Sequence, residues 1–368
     1  MSLAARDPRP GLLSCICDGF DLAPANDNGA RPVGATGLEV SRIGFGGAPI
    51  GDLRRAPTDQ GARELLQAAW DEGIRYFDTA PFYGHGLSER RIGDFLRDKP
   101  RDDYALSTKV GRLLVPDRAY AMEQTGDPRA MPFRPVFDFT YDGVMRSHEN
   151  SLQRLGLERI DILFLHDLGS FSQKENHAGT MRQALDGGGI RALQELRDSG
   201  VVRAIGAGVN EWQIIDELMN HGRFDVFLLA NRYTLLDQQV IDTLFPRILR
   251  EGVAIVAGAP LNSGILATGP IPTAQYDYAQ ASREMIEKTR RIKALTDRYG
   301  TTLIRAALSF PLGHPAVTAL IPGFSNAAEF ADNLAGYREA IPAALWDDLR
   351  AEGLLHPEAP SPATPILR

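Results

Sequence analysis

Apolar and polar positions along the chain follow two alternating rhythms. Eight short apolar runs stand out: Arg42–Phe45, Ile74–Phe77, Tyr104–Ser107, Ile160–Leu165, Val201–Ile205, Val226–Leu229, Val253–Ala257 and Ala316–Ile321. Between them the apolar positions fall at helical spacing. Ala62, Leu65, Leu66, Ala69 and Trp70 sit at i, i+3, i+4, i+7 and i+8, one face of a helix that Asp59 can cap and Gly73 can close. Val144, Met145, His148, Leu152 and Leu155 repeat the pattern, as do Ile214, Ile215, Leu218 and Met219.

Strands alternating with helices imply parallel strands joined by crossovers, in either a doubly wound sheet or a closed barrel. The dinucleotide fingerprint of the doubly wound fold needs G-x-G-x-x-G after the first strand. Gly44-Phe45-Gly46 begins it, but position 49 is Pro, and no Walker A sequence occurs. Eight runs over about 290 residues suit an α/β chain folded as a (β/α)8 TIM barrel. Long inserts follow the third, fourth and seventh runs, at 110–140, 166–188 and 258–281. These predict long loops on the C-terminal face, where barrel enzymes build their active sites.

Composition narrows the picture. The 368 residues are 43% hydrophobic and 24% charged, a globular balance. The net charge of −7, with Lys and Arg dispersed, argues against a nucleic-acid partner. No apolar run approaches the roughly 18 residues of a membrane span. Cys15 and Cys17 are the two cysteines. They exclude a disulfide scaffold and any mechanism using a body cysteine, offer too few ligands for a metal site, and make a reducing cytoplasm the default location. Residues 1–32, with little pattern, read as a flexible extension, and residues 33–368 as one barrel domain. Nothing in the sequence sets an oligomeric state.

Polar residues then stand at consecutive strand ends. Asp78 follows the second run, Lys109 the third and His166 the fourth, with Tyr83 five residues past Asp78. A buried charge needs a partner, and Asp78 with Lys109 would supply one. Lys109 would favour the Tyr83 phenolate, and His166 could hydrogen-bond a substrate oxygen beside it. An acid or base, a charge that tunes it and an orienting donor make a proton-transfer site. Each alone is more often an ion pair in a loop.

These residues lie in segments that resemble the aldo-keto reductase family. Asp78-Thr79-Ala80-Pro81-Phe82-Tyr83-Gly84 with Leu87-Ser88-Glu89, Ser107-Thr108-Lys109, and Leu165-His166-Asp167 after Gly156–Asp161 are similar to its signatures. The resemblance runs from about Gly37 to Leu345. It implies a barrel that binds NAD(P)(H), with Asp78, Tyr83, Lys109 and His166 as catalytic tetrad. Ser107–Arg112, Val136–Asp142 and Ala259–Gly264 resemble bacterial aldose 1-dehydrogenases of the L-fucose or D-threo-aldose type, and pyridoxal 4-dehydrogenase. The implied activity is oxidation of an aldose at its anomeric hydroxyl to a lactone. Oxidation of pyridoxal is the nearest alternative and general NAD(P)H aldehyde reduction the next. A non-enzymatic cofactor-binding barrel, and a lyase or isomerase working without nicotinamide, are the readings from other classes.

Barrels often hold phosphate in the loops after strands seven and eight. Asn262, Ser263 and Gly264 offer amides and a hydroxyl in the first. In the second, Gly323 and Ser325 precede a short helix whose start can attract phosphate. The same residues also read as a turn and a capped helix. By resemblance, NADP-dependent relatives carry a Lys after Ile-Pro and a later Arg on the 2′-phosphate, where this chain has Gly323 and Glu329. Glu329 therefore points to NAD over NADP, and could accept a ribose hydroxyl. Asn333 would meet the adenine. Two departures concern the nicotinamide. Gly258 stands where relatives commonly have a stacking Tyr, and Gly208-Val209-Asn210 replaces a Ser-Asn pair, so Asn210 and Tyr233 are the expected contacts. Phe82, Phe137 and Tyr141 are candidates to line a pocket for a small sugar or aldehyde, with His85 and His177 as polar contacts.

Overall fold

The computed structural model describes residues 29–51 and 56–362. Cys15, Cys17 and most of the expected extension lie outside them. An antiparallel hairpin of β1 (Ala30–Pro32) and β2 (Glu39–Ser41) leads into the barrel. The barrel strands are β3 (Phe45–Gly46), β4 (Tyr76–Asp78), β5 (Ala105–Val110), β8 (Ile162–His166), β9 (Ala204–Val209), β10 (Val226–Ala230), β11 (Ala254–Gly258) and β14 (Val317–Ile321). All neighbouring pairs are parallel, in chain order. Bridges Ile43↔Leu320 and Gly46↔Gly323 bring the first and last strands together. Each strand overlaps one of the eight apolar runs.

Two cores follow from the period-two alternation of the strands. Outward residues such as Phe77, Leu106, Leu163, Ile205, Phe227 and Ile255 pack against the helices. Inward residues Tyr76, Ala105, Ile162, Phe164, Val226, Leu228, Val256 and Ile321 fill the barrel, and Val33, Leu38 and Val40 of the β1–β2 hairpin plug its N-terminal end. The interior is therefore packed below and open to chemistry only above. The first crossover helix, Asp59–Asp71, is capped by Thr58, whose Oγ1 accepts from the Gly61 N–H at 3.1 Å. Asp59, the expected cap, instead holds Arg91 at 2.6 Å from the first turn.

The three inserts stand where expected. The first forms a hairpin, β6 (Arg112–Pro116) with β7 (Phe133–Phe137), enclosing the helix Arg118–Thr125. The second carries the helix His177–Leu185. The third ends in a tight hairpin, β12 (Gln275–Tyr276) with β13 (Ala279–Gln280). No helix among the described residues is long and apolar enough to cross a membrane.

Candidate active site

The uppermost inward positions of the strands form a ring that divides in two. On one side stand Asp78, Lys109 and His166, each at or near a strand's C-terminal end. On the other stand Gly208, Ala230 and Gly258 of β9, β10 and β11, with Ala230 opposite Gly258 in register and Gly208 opposite His166 on one side and Leu228 on the other.

The charged side is tightly bonded. Lys109 Nζ donates to Asp78 Oδ2 at 2.7 Å and to the Thr79 carbonyl at 2.9 Å. Ser107 Oγ donates to the other Asp78 oxygen at 2.6 Å, and Tyr76 OH lies 3.0 Å from Ser107 Oγ. Asp78 faces Ser107 in register, and Ser107 and Lys109 share the inward face of β5, so the sheet itself sets these contacts. Lys109 Nζ lies 4.7 Å from the centroid of the Tyr83 ring, and the Tyr83 and His166 rings meet edge-on at 6.0 Å. Tyr83 is held by a close crossing of two loops. Gly84 has φ +65°, and a Cβ there would lie 2.4 Å from the Gly51 carbonyl oxygen. The structure thus gathers all four residues of the expected tetrad.

Burial sets the protonation states. Burial works against the charge on Lys109, but Asp78 and Tyr83 outweigh it and push its pKa up, so it stays an ammonium. Burial raises Asp78, while the charge of Lys109 and hydrogen bonds from Lys109 and Ser107 pull it back. Burial also raises Tyr83. Lys109 pulls it down as expected, yet burial, Asp78 and Asp167 leave it above an ordinary phenol. Tyr83 therefore rests protonated. Burial, with Arg112 and Lys109 nearby, drives His166 well below an ordinary imidazole, so it is neutral.

An ion pair that the sequence reading passed over overhangs these residues. Arg112 Nη2 donates to Asp167 Oδ2 at 2.5 Å, and the same oxygen lies 3.5 Å from His166 Nε2. The guanidinium lies over the rings of Phe82 (4.1 Å) and Phe137 (4.9 Å). Gly111, at φ +94°, turns β5 into β6 toward it, and a Cβ at Gly111 would strike the Phe139 ring at 2.3 Å. Asp167 has φ +54°, which for a non-glycine residue costs about 1–3 kcal/mol. A charge immediately after Lys109-Val110-Gly111 and another immediately after His166 were the available signals.

The bare side carries polar groups in excess of their partners. Asn210 Oδ1 accepts from Asn231 Nδ2 at 3.2 Å and from Tyr278 OH at 3.3 Å. Asn262 Nδ2 donates to the Asn231 carbonyl at 3.1 Å. Asn231 Oδ1 and Asn262 Oδ1 are buried without a hydrogen-bond partner. Asn231, Ala259, Asn262 and Ser263 all have positive φ. Ser263 Oγ accepts from the Tyr278 N–H at 2.9 Å, and the Tyr278 ring contacts Phe171 at 5.6 Å, joining the second and third inserts. Gly264 turns at φ +102° with open space around it. A Cβ at Gly258 would come within 3.0 Å of Leu228 Cδ2 and 3.6 Å of Ala230 Cβ, so only a small residue fits there, and Gly208, Ala230 and Gly258 leave a shallow cradle at the rim. A flat ring with an attached amide fits a floor without side chains and buried carbonyl acceptors without donors.

Gly323 bridges to Gly46 at the barrel seam. Asn326 caps the helix Ala327–Arg338 by accepting from the Glu329 N–H at 2.9 Å, and Glu329 Oε2 accepts from the Ser325 N–H at 2.9 Å. Ser325 is exposed and Asn333 buried on that helix.

Four expected contacts are corrected. Tyr233 does not face the mouth: it is buried against Phe245, Phe310 and His314 in the helix shell, because an aromatic ring gains more there than over a polar rim. Tyr141 is tied outward, its hydroxyl donating to Glu195 at 2.8 Å. His85 is buried at φ +52° against the rings of Phe82 and Tyr120, and His177 Nδ1 lies 2.9 Å from the Leu168 carbonyl oxygen, bracing its own loop. Phe82 and Phe137 stay 37% and 39% exposed beside Arg112.

A model of the Aldo/keto reductase family matches residues 42–351. Pyridoxal 4-dehydrogenase of Microbacterium luteolum is 41% identical over 334 residues, covering 88% of this chain and 97% of that protein. D-threo-aldose 1-dehydrogenase of a Pseudomonas species is 39% identical over 328 residues, with the same two coverages. The holo form of an aldo-keto reductase from Bacillus halodurans superposes with a TM-score of 0.66 at 22% identity, over 92% of this chain and 99% of that one, a likeness of fold. Aldo-keto reductases use nicotinamide cofactors, which the cradle and its unpartnered amides suit. The sequence, the barrel and the four gathered residues thus agree: the chain belongs to the aldo/keto reductase family and is an oxidoreductase.

Proposed function

We propose that the chain is an NAD-dependent dehydrogenase of cyclic hemiacetals, oxidising the anomeric hydroxyl of an aldose of the L-fucose or D-threo-aldose kind to a lactone. The observation that carries this reading is Lys109 held between Asp78 and the Tyr83 ring beside a neutral His166. Tyr83, ionised with the help of Lys109, takes the hydroxyl proton. His166 holds the hydroxyl oxygen by a hydrogen bond, and Asp78 holds Lys109. A bound nicotinamide would supply the acceptor for the C1 hydrogen as hydride, leaving the C1–O bond as the lactone carbonyl. Loss of one proton and one hydride balances the two-electron oxidation.

Asn210, with Asn231, would meet the carboxamide. Asn262, Ser263, Gly264, Gly323 and Ser325 would face the pyrophosphate, and Asn333 the adenine. Residues 321–337 contain no Lys or Arg, and they carry Glu329 and Asp332. A 2′-phosphate beside Glu329 would meet repulsion on the order of 4 kcal/mol at about 4 Å and effective dielectric about 20, before solvent screening. Even half of that exceeds the about 1.4 kcal/mol that equals tenfold in affinity. This supports NAD.

Pyridoxal is the second reading. It too exists as a cyclic hemiacetal, and the exposed faces of Phe82 and Phe137 favour an aromatic ring. The test follows NADH absorbance with NAD or NADP and L-fucose, L-galactose, D-arabinose or pyridoxal in separate reactions. Sugar-dependent NADH formation, with NADP at least tenfold poorer, is expected. Turnover of pyridoxal alone would replace the substrate, and equal use of both cofactors would overturn the role of Glu329.

A further inference from the structure

We propose that Arg112 and Asp167 together form a polar clamp that recognises a second hydroxyl on the substrate, the one next to the reacting carbon. The proposal rests on the dehydrogenase reading above and names the substrate feature that the site selects.

The Asp167 oxygen that accepts from Arg112 lies 3.5 Å from His166 Nε2, and the His166 ring is in edge contact with Tyr83. A substrate oxygen bonded to both Tyr83 and His166 therefore brings its neighbouring carbon under the pair. The pair adjusts the ionisation of His166 and Tyr83, but the transferred proton passes through neither Arg112 nor Asp167.

Nor does stability explain it. A buried ion pair is weak evidence for stabilisation, and this one needs Asp167 in a left-handed backbone conformation. Arg112 is almost fully buried, and its Nε–H has no hydrogen-bond partner. Its other contacts are the faces of Phe82 and Phe137, which orient the guanidinium without satisfying its donors. A planar donor fork with spare capacity beside a carboxylate acceptor matches a hydroxyl, which both donates and accepts.

Both substrate readings carry a second hydroxyl near the reacting carbon, one bond closer in the aldose than in pyridoxal. An aldose in its ring form carries a C2 hydroxyl beside C1. Pyridoxal carries its ring hydroxyl on the carbon adjacent to the one bearing the reacting group. A plain aldehyde has neither. A site built to hydrogen-bond a hydroxyl rejects the analogue lacking it, because its buried polar groups are then left unpaired.

The test compares matched substrates on the full-length enzyme. D-Arabinose and 2-deoxy-D-ribose differ only at C2, and each is oxidised with NAD. Lactaldehyde and propionaldehyde, reduced with NADH, pose the same question without a hemiacetal. The wild type is expected to prefer the hydroxylated member of each pair at least tenfold in kcat/KM. In Arg112→Met that preference collapses to within threefold, through loss of rate on the hydroxylated substrate and not on its partner. Asp167→Asn, which keeps the size of the side chain, behaves likewise with a smaller loss. Propionaldehyde reduction serves as the internal measure of folding, since a misfolded variant loses it as well. Equal losses on both members of a pair would show a merely structural ion pair and overturn the proposal, as would a wild type without preference. If no sugar and no pyridoxal is oxidised, the dehydrogenase reading fails while the aldehyde pair still decides the clamp.

Discussion

The two halves of the barrel mouth are built from the same kind of position and do opposite things. On β4, β5 and β8 the top inward residues are Asp78, Lys109 and His166; their neighbours satisfy Asp78 and Lys109, while His166 Nδ1 has no hydrogen-bond partner. On β9, β10 and β11 the corresponding residues are Gly208, Ala230 and Gly258, and the amides above them keep carbonyl oxygens without partners. One half spends its hydrogen bonds on fixing charge, while the other withholds side chains and leaves acceptors open. Under the proposed function this contrast divides proton transfer from cofactor accommodation, so substitutions in the two halves should have different kinetic signatures.

The largest effect is expected on the charged half. Tyr83→Phe removes the proton acceptor and should lower kcat by at least about 10³-fold, with the NAD dissociation constant unchanged. Stopped-flow turnover together with cofactor titration checks both. Lys109→Met should lower kcat by about 10²–10⁴-fold; retention of wild-type turnover would remove Lys109 from the proton-transfer machinery.

The pH dependence follows next in size. Tyr83 rests protonated, with its pKa above an ordinary phenol. Oxidation needs the phenolate, so its rate should climb about tenfold per pH unit on the acid side of that ionisation. Reduction needs the phenol, so it should stay level there and fall only in alkali. Neutral His166 should add no ionisation near pH 6.5, because its pKa lies well below that value. A sigmoid in kcat centred there would contradict the protonation states derived from the site.

Smaller still is the effect at the far end of the bare half. Glu329→Gln should improve NADP use several-fold and leave NAD use within threefold, as ratios of kcat/KM will report. The smallest effect is expected at Tyr233, which lies in neither half. Its hydroxyl is buried without a hydrogen-bond partner. Tyr233→Phe should leave kcat and KM for NAD unchanged and raise stability by about 1 kcal/mol, read by urea unfolding. A raised KM would return Tyr233 to the cofactor.

The division also separates what was legible in the chain. The eight strands announced themselves because parallel strands buried on both faces are continuous apolar runs, as in Ile162-Leu163-Phe164-Leu165. The tetrad was legible because each charge interrupts such a run at its end. The hairpins within the inserts were not. Pro135 lies in the middle of β7, and the β12–β13 turn places Asp277 and Tyr278 at positive φ without the Asn-Gly that marks such turns. The Arg112–Asp167 pair joins two inserts 55 residues apart, and only the folded loops bring its members together. Tyr233 was misread because a strand-end aromatic near a mouth and one in a helix shell have the same local sequence. The outcome depended on Phe245, Phe310 and His314, which come from elsewhere in the chain.

The most direct test of the division is a calorimetric titration of NAD into the wild type, Tyr83→Phe and Gly258→Val. Equal dissociation constants, within threefold, are expected for the first two. At least tenfold weaker binding is expected for Gly258→Val, whose added side chain would occupy the cradle beside Leu228 and Ala230. Undiminished binding by Gly258→Val, or its loss in Tyr83→Phe, would contradict the separation of the two halves.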